Sequence, residues 1–137
     1  MKLEAQVTSL ELSKKLKELG VKQESAFYWE RSMFTDGWEL QSIERASLKA
    51  SYEIYSAFTV AELGEMLPSS IKYTLAGGRK PKYSHYLHML SSDHFSSGKW
   101  TVSYSTYRSN RTIDFMDDSE ADARAKMLIY LLEMKMV

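Results

Sequence analysis

The sequence predicts an α+β fold, a mostly antiparallel sheet of about five strands with three helices packed on one face, in the order α-β-β-α-β-β-β-α. Three observations lead there. Three segments carry helical periodicity together with their own start signals. Between them the apolar period changes to two, as in strands with one wet face. No Gly/Ser-rich or Pro-rich linker and no internal repeat divides the 137 residues, so residues 1–137 are expected to form one domain.

The first helix is expected over 9–19. Thr8 stands as its cap and Glu11, three residues on, as the reciprocal partner of a capping box. Leu12, Leu16 and Leu19 form one stripe, while Lys14, Lys15 and Lys17 face water. Gly20 is placed as a left-handed cap with Val21 against Leu16. A hairpin follows, because "AFYWER" and "GWELQSI" flank the turn signal "TDG". The stretch 44–57 reads equally as a strand or an extended connection. In "FTVAELGEMLP" Thr59 caps a short second helix, Glu62 completes its box, and Pro68 stops it.

Three more strands are expected. "IKYTLA" alternates, "KYSHYLHML" follows Pro81, and "KWTVSYSTY" sets Trp100, Val102 and Tyr104 on one side and Thr101, Ser103 and Ser105 on the other. The last helix, "SEADARAKMLIYLLEMKMV", begins with acids that suit its dipole. Glu120–Arg124 and Asp122–Lys126 have ion-pair spacing, and Ala121, Ala125, Leu128 and Leu132 make the core face.

Three of these segments carry a resemblance. "SLELSKKLKELGVKQESAFYW", "TVAELGEMLP" and "ADARAKMLIYLLE", in that order, resemble small hypothetical proteins of bacteriophages, prophages and mobile elements, especially of gut bacteria. The resemblance implies an origin and a shared fold. It brings no activity, substrate, cofactor or catalytic residue with it.

Composition narrows the chemistry. Net charge is zero, which removes the global attraction that supports non-specific binding to nucleic acid or anionic membrane. With no cysteine there is no disulfide, thiolate zinc site or thiol nucleophile. The start lacks a signal peptide's apolar segment, and "MLIYLL" is far below the roughly 20 residues of a membrane span, so a soluble cytoplasmic protein is expected.

The candidate sites are weighed against plainer readings. His85 and His88 have the spacing of a metal pair only on a helix. As a strand the segment separates them, with His94 in the following turn, so structural or surface histidines are the favoured reading. Asp114, Asp117, Asp118, Glu120 and Asp122 have oxygen ligands for a divalent cation but lack calcium-loop spacing. They serve better as helix-start residues, with Asp117 and Ser119 as caps. Lys72, Arg79, Lys80 and Lys82 gather around "AGGRKPK", with Arg108 and Arg111 further on and Tyr83 and Tyr86 interleaved. That is a platform for single-stranded nucleic acid, or the charged tip that protects a strand from edge pairing. A helix-turn-helix over "TVAELGEMLPSSIKYTLAGG" is disfavoured by the period-two spacing of its second half. No catalytic motif is found, and no cofactor is implied. The expected role is binding a protein partner or a second copy of the chain, the end "LLEMKMV" making a homodimer an option, with nucleic acid as the second choice.

Overall fold

The computed structural model describes residues 2–32, 37–44, 51–73, 85–94, 96–106 and 109–137. All three expected helices are present: α1 (Leu10–Glu18), α2 (Val60–Met66) and α3 (Glu120–Glu133). The strands are β1 (Phe27–Ser32), β2 (Glu39–Ser42), β3 (Ser51–Ser56), β4 (Ser70–Tyr73), β5 (His85–His94), β6 (Trp100–Thr106) and β7 (Ser109–Asp117).

The fold is α+β, but the single sheet of about five strands is replaced by two antiparallel sheets. One has three strands in the order β2-β1-β3, the other four in the order β4-β5-β6-β7. The physical divide is α2. Its capped start and its stop at Pro68 lead the chain away from β3, so β3 and β4 do not pair although they are successive strands. Two strands were not foreseen as such. β3 resolves the ambiguous 44–57 stretch in favour of a strand over its described part, and β7 extends the second sheet to its far edge. The helices also do not share one face of one sheet. α3 lies on β6 and β7, α2 packs on α3, and α1 bridges α3 and β3.

The core explains this layering. Leu16 from α1, Phe58 and Leu63 around α2, Ile71 from β4, Val102 and Tyr104 from β6, and seven residues of α3 form one buried cluster. Val102 and Tyr104 are fully buried, as their alternation on β6 requires, and Trp100 packs against the cluster's rim. α3 is apolar on most of its circumference, so it must be covered from several sides. Sheet, α2 and α1 supply that cover. Met136 folds back onto the core, whereas Met134 and Val137 stay more than half exposed.

Helix ends follow the local code with one exception. In α2, the Thr59 hydroxyl accepts the Glu62 N–H at 3.2 Å and the Glu62 carboxylate accepts the Thr59 N–H at 2.7 Å. In α3, Ser119 Oγ accepts the Asp122 N–H. The exception is α1, which Ser9 and not Thr8 caps, and without a side-chain bond. Thr8 is buried and occupied elsewhere. Its hydroxyl accepts the Phe58 N–H at 3.0 Å and pairs with Ser13 Oγ at 2.7 Å, while its carbonyl accepts the Trp29 indole N–H at 2.8 Å.

α1 and α3 end in the same way. In α1, Val21 N–H reaches Leu16 O and Gly20 N–H reaches Lys17 O, with Gly20 at φ 86°. In α3 the matching bonds come from Met136 to Leu131 and from Lys135 to Leu132, and Lys135 sits at φ 54°. A lysine there carries a Cβ penalty that glycine lacks. Lys135→Gly is therefore expected to stabilise the fold by about 0.5–1 kcal/mol in urea unfolding. A loss of stability would show that the lysine side chain contributes more than its strain costs.

Candidate functional site

The histidine segment is a strand throughout. β5 pairs with β4 through His85 opposite Tyr73 and His88 opposite Ser70, and with β6 through His88 opposite Ser105. The helix that would have set His85 and His88 on one face does not form. His94 is the last residue of β5, opposite Trp100, and not in the turn beyond it. Its ring lies 5.0 Å from the Trp100 ring, an aromatic contact at an exposed corner. Among the described residues, no group of three or more histidines and carboxylates gathers as a metal site would require.

The basic cluster is only partly brought together. Lys72 on β4 stands opposite Tyr86 on β5. Arg111 belongs to β7, the opposite edge of the same sheet, three strand spacings or about 14 Å from β4. Arg79, Lys80, Lys82, Tyr83 and Arg108 lie outside the described residues.

The acidic run resolves into structural roles at Asp117, Glu120 and Asp122 and two exposed groups, Asp114 on β7 and Asp118 beyond its end. Lys126 pairs with Asp117 and not with Asp122, while Glu120–Arg124 forms as expected. The Asp117 carboxyl feels burial, which would raise it, but hydrogen bonds from Lys126 and from the Asp118 N–H hold it below its ordinary value. Asp122 instead accepts the Ser9 N–H at 2.7 Å, so a residue of α3 serves the start of α1. Burial pushes the Asp122 carboxyl up, against the Ser9 bond, and the nearby Asp117 charge adds to the rise. The sign is explicit. A carboxyl raised in the folded state binds its proton more tightly there, so its contribution is fully present below the unfolded value near 3.8 and is lost as pH rises through the folded value. Asp122→Asn keeps an oxygen for Ser9 and carries no charge. Its stability relative to wild type is expected to improve from pH 3 to pH 7, whereas Asp122→Ala loses about 1–2 kcal/mol at pH 7. A deficit in Asp122→Asn that grows toward neutral pH would instead assign the role to the charge at the start of α1.

Asp118 leads into a cleft that no local motif announces. Its walls come from five places in the chain. The 3-10 turn Leu3–Ala5 and Gln6 form one side, Phe27 at the start of β1 another, and Thr59, Val60 and Ala61 at the start of α2 a third. Trp100 at the start of β6 forms a fourth, and Asp118, Ser119 and Glu120 at the start of α3 a fifth. The volume is about 310 Å³, at the small end of ligand-binding cavities. Six of its eleven lining residues are apolar, two are carboxylates and none is a cation. The pieces are held by folding contacts. Val7 bridges Thr59, Thr8 N–H bonds Phe58 O, and Glu62 accepts the Ala26 N–H beside Phe27. Of these lining residues, Asp118 and Glu120 belong to the acidic run weighed as cation ligands, Thr59 and Ser119 are cap positions, and the rest carry no functional signal in the sequence.

A second patch lies between α1 and the three-stranded sheet. Trp38 and Tyr55 have ring centres 5.6 Å apart. Lys14 Nζ is 4.8 Å from the Trp38 ring centre and Lys17 Nζ is 4.9 Å from that of Tyr55. The lysines expected to face water thus roof two aromatics. Burial, then the hydrogen bond to Glu53, raises the Tyr55 hydroxyl above its ordinary value. The spacing of Lys14 and Lys17 on one helical face is readable in sequence, but their aromatic partners come from β3 and from just before β2. Its ring faces are already occupied by the chain's own cations, so it serves chiefly to fasten α1 to the sheet.

No helix among the described residues is long and apolar enough to cross a membrane. Compared with protein-family models, curated proteins and solved structures, the chain matches none.

Proposed function

We propose that this chain is a small non-catalytic binding module of phage or mobile-element origin, working in the cytoplasm, whose partner is a protein. The partner is a host or phage protein, or a second copy of the chain. The cleft between the 3-10 turn, β1, α2 and α3 supports this reading most directly. Its lining is mostly apolar with two carboxylates, and it is large enough for a side chain or two of a partner, the composition of a small anchoring pocket. The resemblance of the three sequence segments supports the phage or mobile-element origin.

Ala61 is exposed and lines the cleft, so Ala61→Trp fills it from outside the core. Affinity capture from host lysate with wild type and Ala61→Trp tests the reading, with size measured alongside for self-association. A protein retained by wild type and lost with Ala61→Trp is the expected result. Nothing above background, with a monomer in solution, would reject the module reading, and equal capture by both forms would reject the cleft.

A second reading is a nucleic-acid accessory role for the basic hairpin. It is favoured by the β4–β5 pairing, which sets Lys72 opposite Tyr86 and makes the segment carrying Arg79, Lys80 and Lys82 the connection between two paired strands. It expects salt-sensitive binding of a single-stranded oligonucleotide, weakened by changing those three residues to alanine. No binding at low salt rejects it.

A further inference from the structure

We infer that the cleft takes a cationic side chain, an arginine flanked by apolar residues, from the partner protein. This rests on the cleft being the partner site and adds the chemistry of what enters it. Two aromatic residues, Phe27 and Trp100, line the cleft together with two carboxylates, Asp118 and Glu120. A guanidinium stacks on an aromatic face through its planar cation and lays its methylenes along apolar surface, while its N–H fork engages a carboxylate. Lysine shares the charge and the methylenes, but its compact ammonium lacks the planar fork that meets a carboxylate while lying flat on a ring.

The charges facing the cleft decide against an anion. The starts of α2 and α3 would each favour negative charge, but the chain's own acids already meet them. Glu62 and the Thr59 hydroxyl take the first donors of α2, and Ser119 with Glu120 and Asp122 serves α3. Glu120 is engaged by Arg124, whose Nε and Nη2 lie 3.1 and 3.0 Å from one carboxylate oxygen. Asp118 is the accessible partner. Its side chain is 81% exposed, and its ion pair with Lys99 at 2.6 Å lies at the surface, where such pairs hold weakly.

The test titrates a blocked leucine–arginine–leucine peptide into the isotope-labelled full chain, followed by two-dimensional NMR. The same peptide with norleucine or glutamate in the centre serves as comparison. The arginine peptide is expected to bind about tenfold more tightly than either, with shifts at Gln6, Phe27, Ala61, Trp100 and Ser119. Asp118→Asn should weaken it about three- to tenfold and reduce its salt dependence. Ala61→Trp should abolish it while the rest of the spectrum stays that of the folded chain. Equal affinity for the norleucine peptide would overturn the cationic assignment and leave the cleft standing as an apolar site. Tighter binding of the glutamate peptide would show that the helix starts dominate. Failure of all three peptides, in a chain whose lysate partner is still lost with Ala61→Trp, would overturn the inference without touching the proposed function.

Discussion

Tyr104→Ala is expected to lower stability by about 3–5 kcal/mol in urea unfolding, the cost of removing a large aromatic side chain from a core that cannot collapse around the gap. Tyr104 is fully buried on β6, opposite Ile113 of β7 and beneath α3. Its hydroxyl donates to the Pro68 carbonyl at 2.5 Å, which ties the strand to the end of α2. Tyr104→Phe isolates that bond and should lose about 1 kcal/mol. Burial pushes the hydroxyl up to about 12, although the Arg124 charge works against the rise. The folded chain therefore keeps this proton where the unfolded chain releases it. Stability from this group is full below pH 10 and is lost as pH climbs from 10 through 12, so Tyr104→Phe should flatten the alkaline limb of the stability curve. A Tyr104→Ala loss below about 1 kcal/mol would show that α3 and β6 are not packed as described.

Glu62→Ala is expected to cost about 2–4 kcal/mol, more than a helix cap alone, because its carboxylate joins two segments through three contacts. One oxygen accepts the Thr59 N–H at 2.7 Å and lies 3.0 Å from Ser25 Oγ; the other accepts the Ala26 N–H at 2.9 Å. Removing it unties the start of α2 and the lead into β1 together. Glu62→Gln offers only one acceptor oxygen and turns an amide NH₂ toward an N–H donor, so it should recover about half of the loss. Thermal unfolding of the two variants checks the order. If alanine and glutamine cost the same, the tertiary arms contribute nothing beyond the cap.

That residue also shows how far the sequence could be read. The Thr59–Glu62 box is written in a three-residue spacing, and so was visible. What Glu62 does for Ala26 depends on a contact 36 residues away and was not. Thr8 and Glu11 carry the same spacing, yet Thr8 is drawn off by Phe58 and Ser13, and a tertiary hydrogen bond overrides the local motif. Asp122 and Lys126 have helical ion-pair spacing, but Asp117 holds the lysine and Ser9, 113 residues distant, holds the aspartate. Local spacing states what can pair; the rest of the fold decides what does.

Strand pairing follows the same logic. The alternation of Val102 and Tyr104 against Thr101, Ser103 and Ser105 gave β6 its inner face correctly. β7 alternates as clearly, with Thr112, Asp114 and Met116 exposed and Ile113 and Phe115 against the core. Its acids read in sequence as the start of α3, which hides the strand. Period two identifies strands without naming their neighbours, so the pattern alone does not separate two sheets from one. The cleft was the least legible feature. Its walls come from five separated stretches, each with an ordinary folding reason to be apolar or acidic, and only their assembly makes a pocket.

Hydrogen exchange on the chain with and without its captured partner tests the central claim most directly, because it maps the bound surface without any substitution. Added protection is expected at residues 3–6, 59–61 and 118–120 around the cleft, with the connection between β4 and β5 unchanged. Protection concentrated on residues 74–84 with the cleft unaffected would contradict it and move the binding site to the basic hairpin.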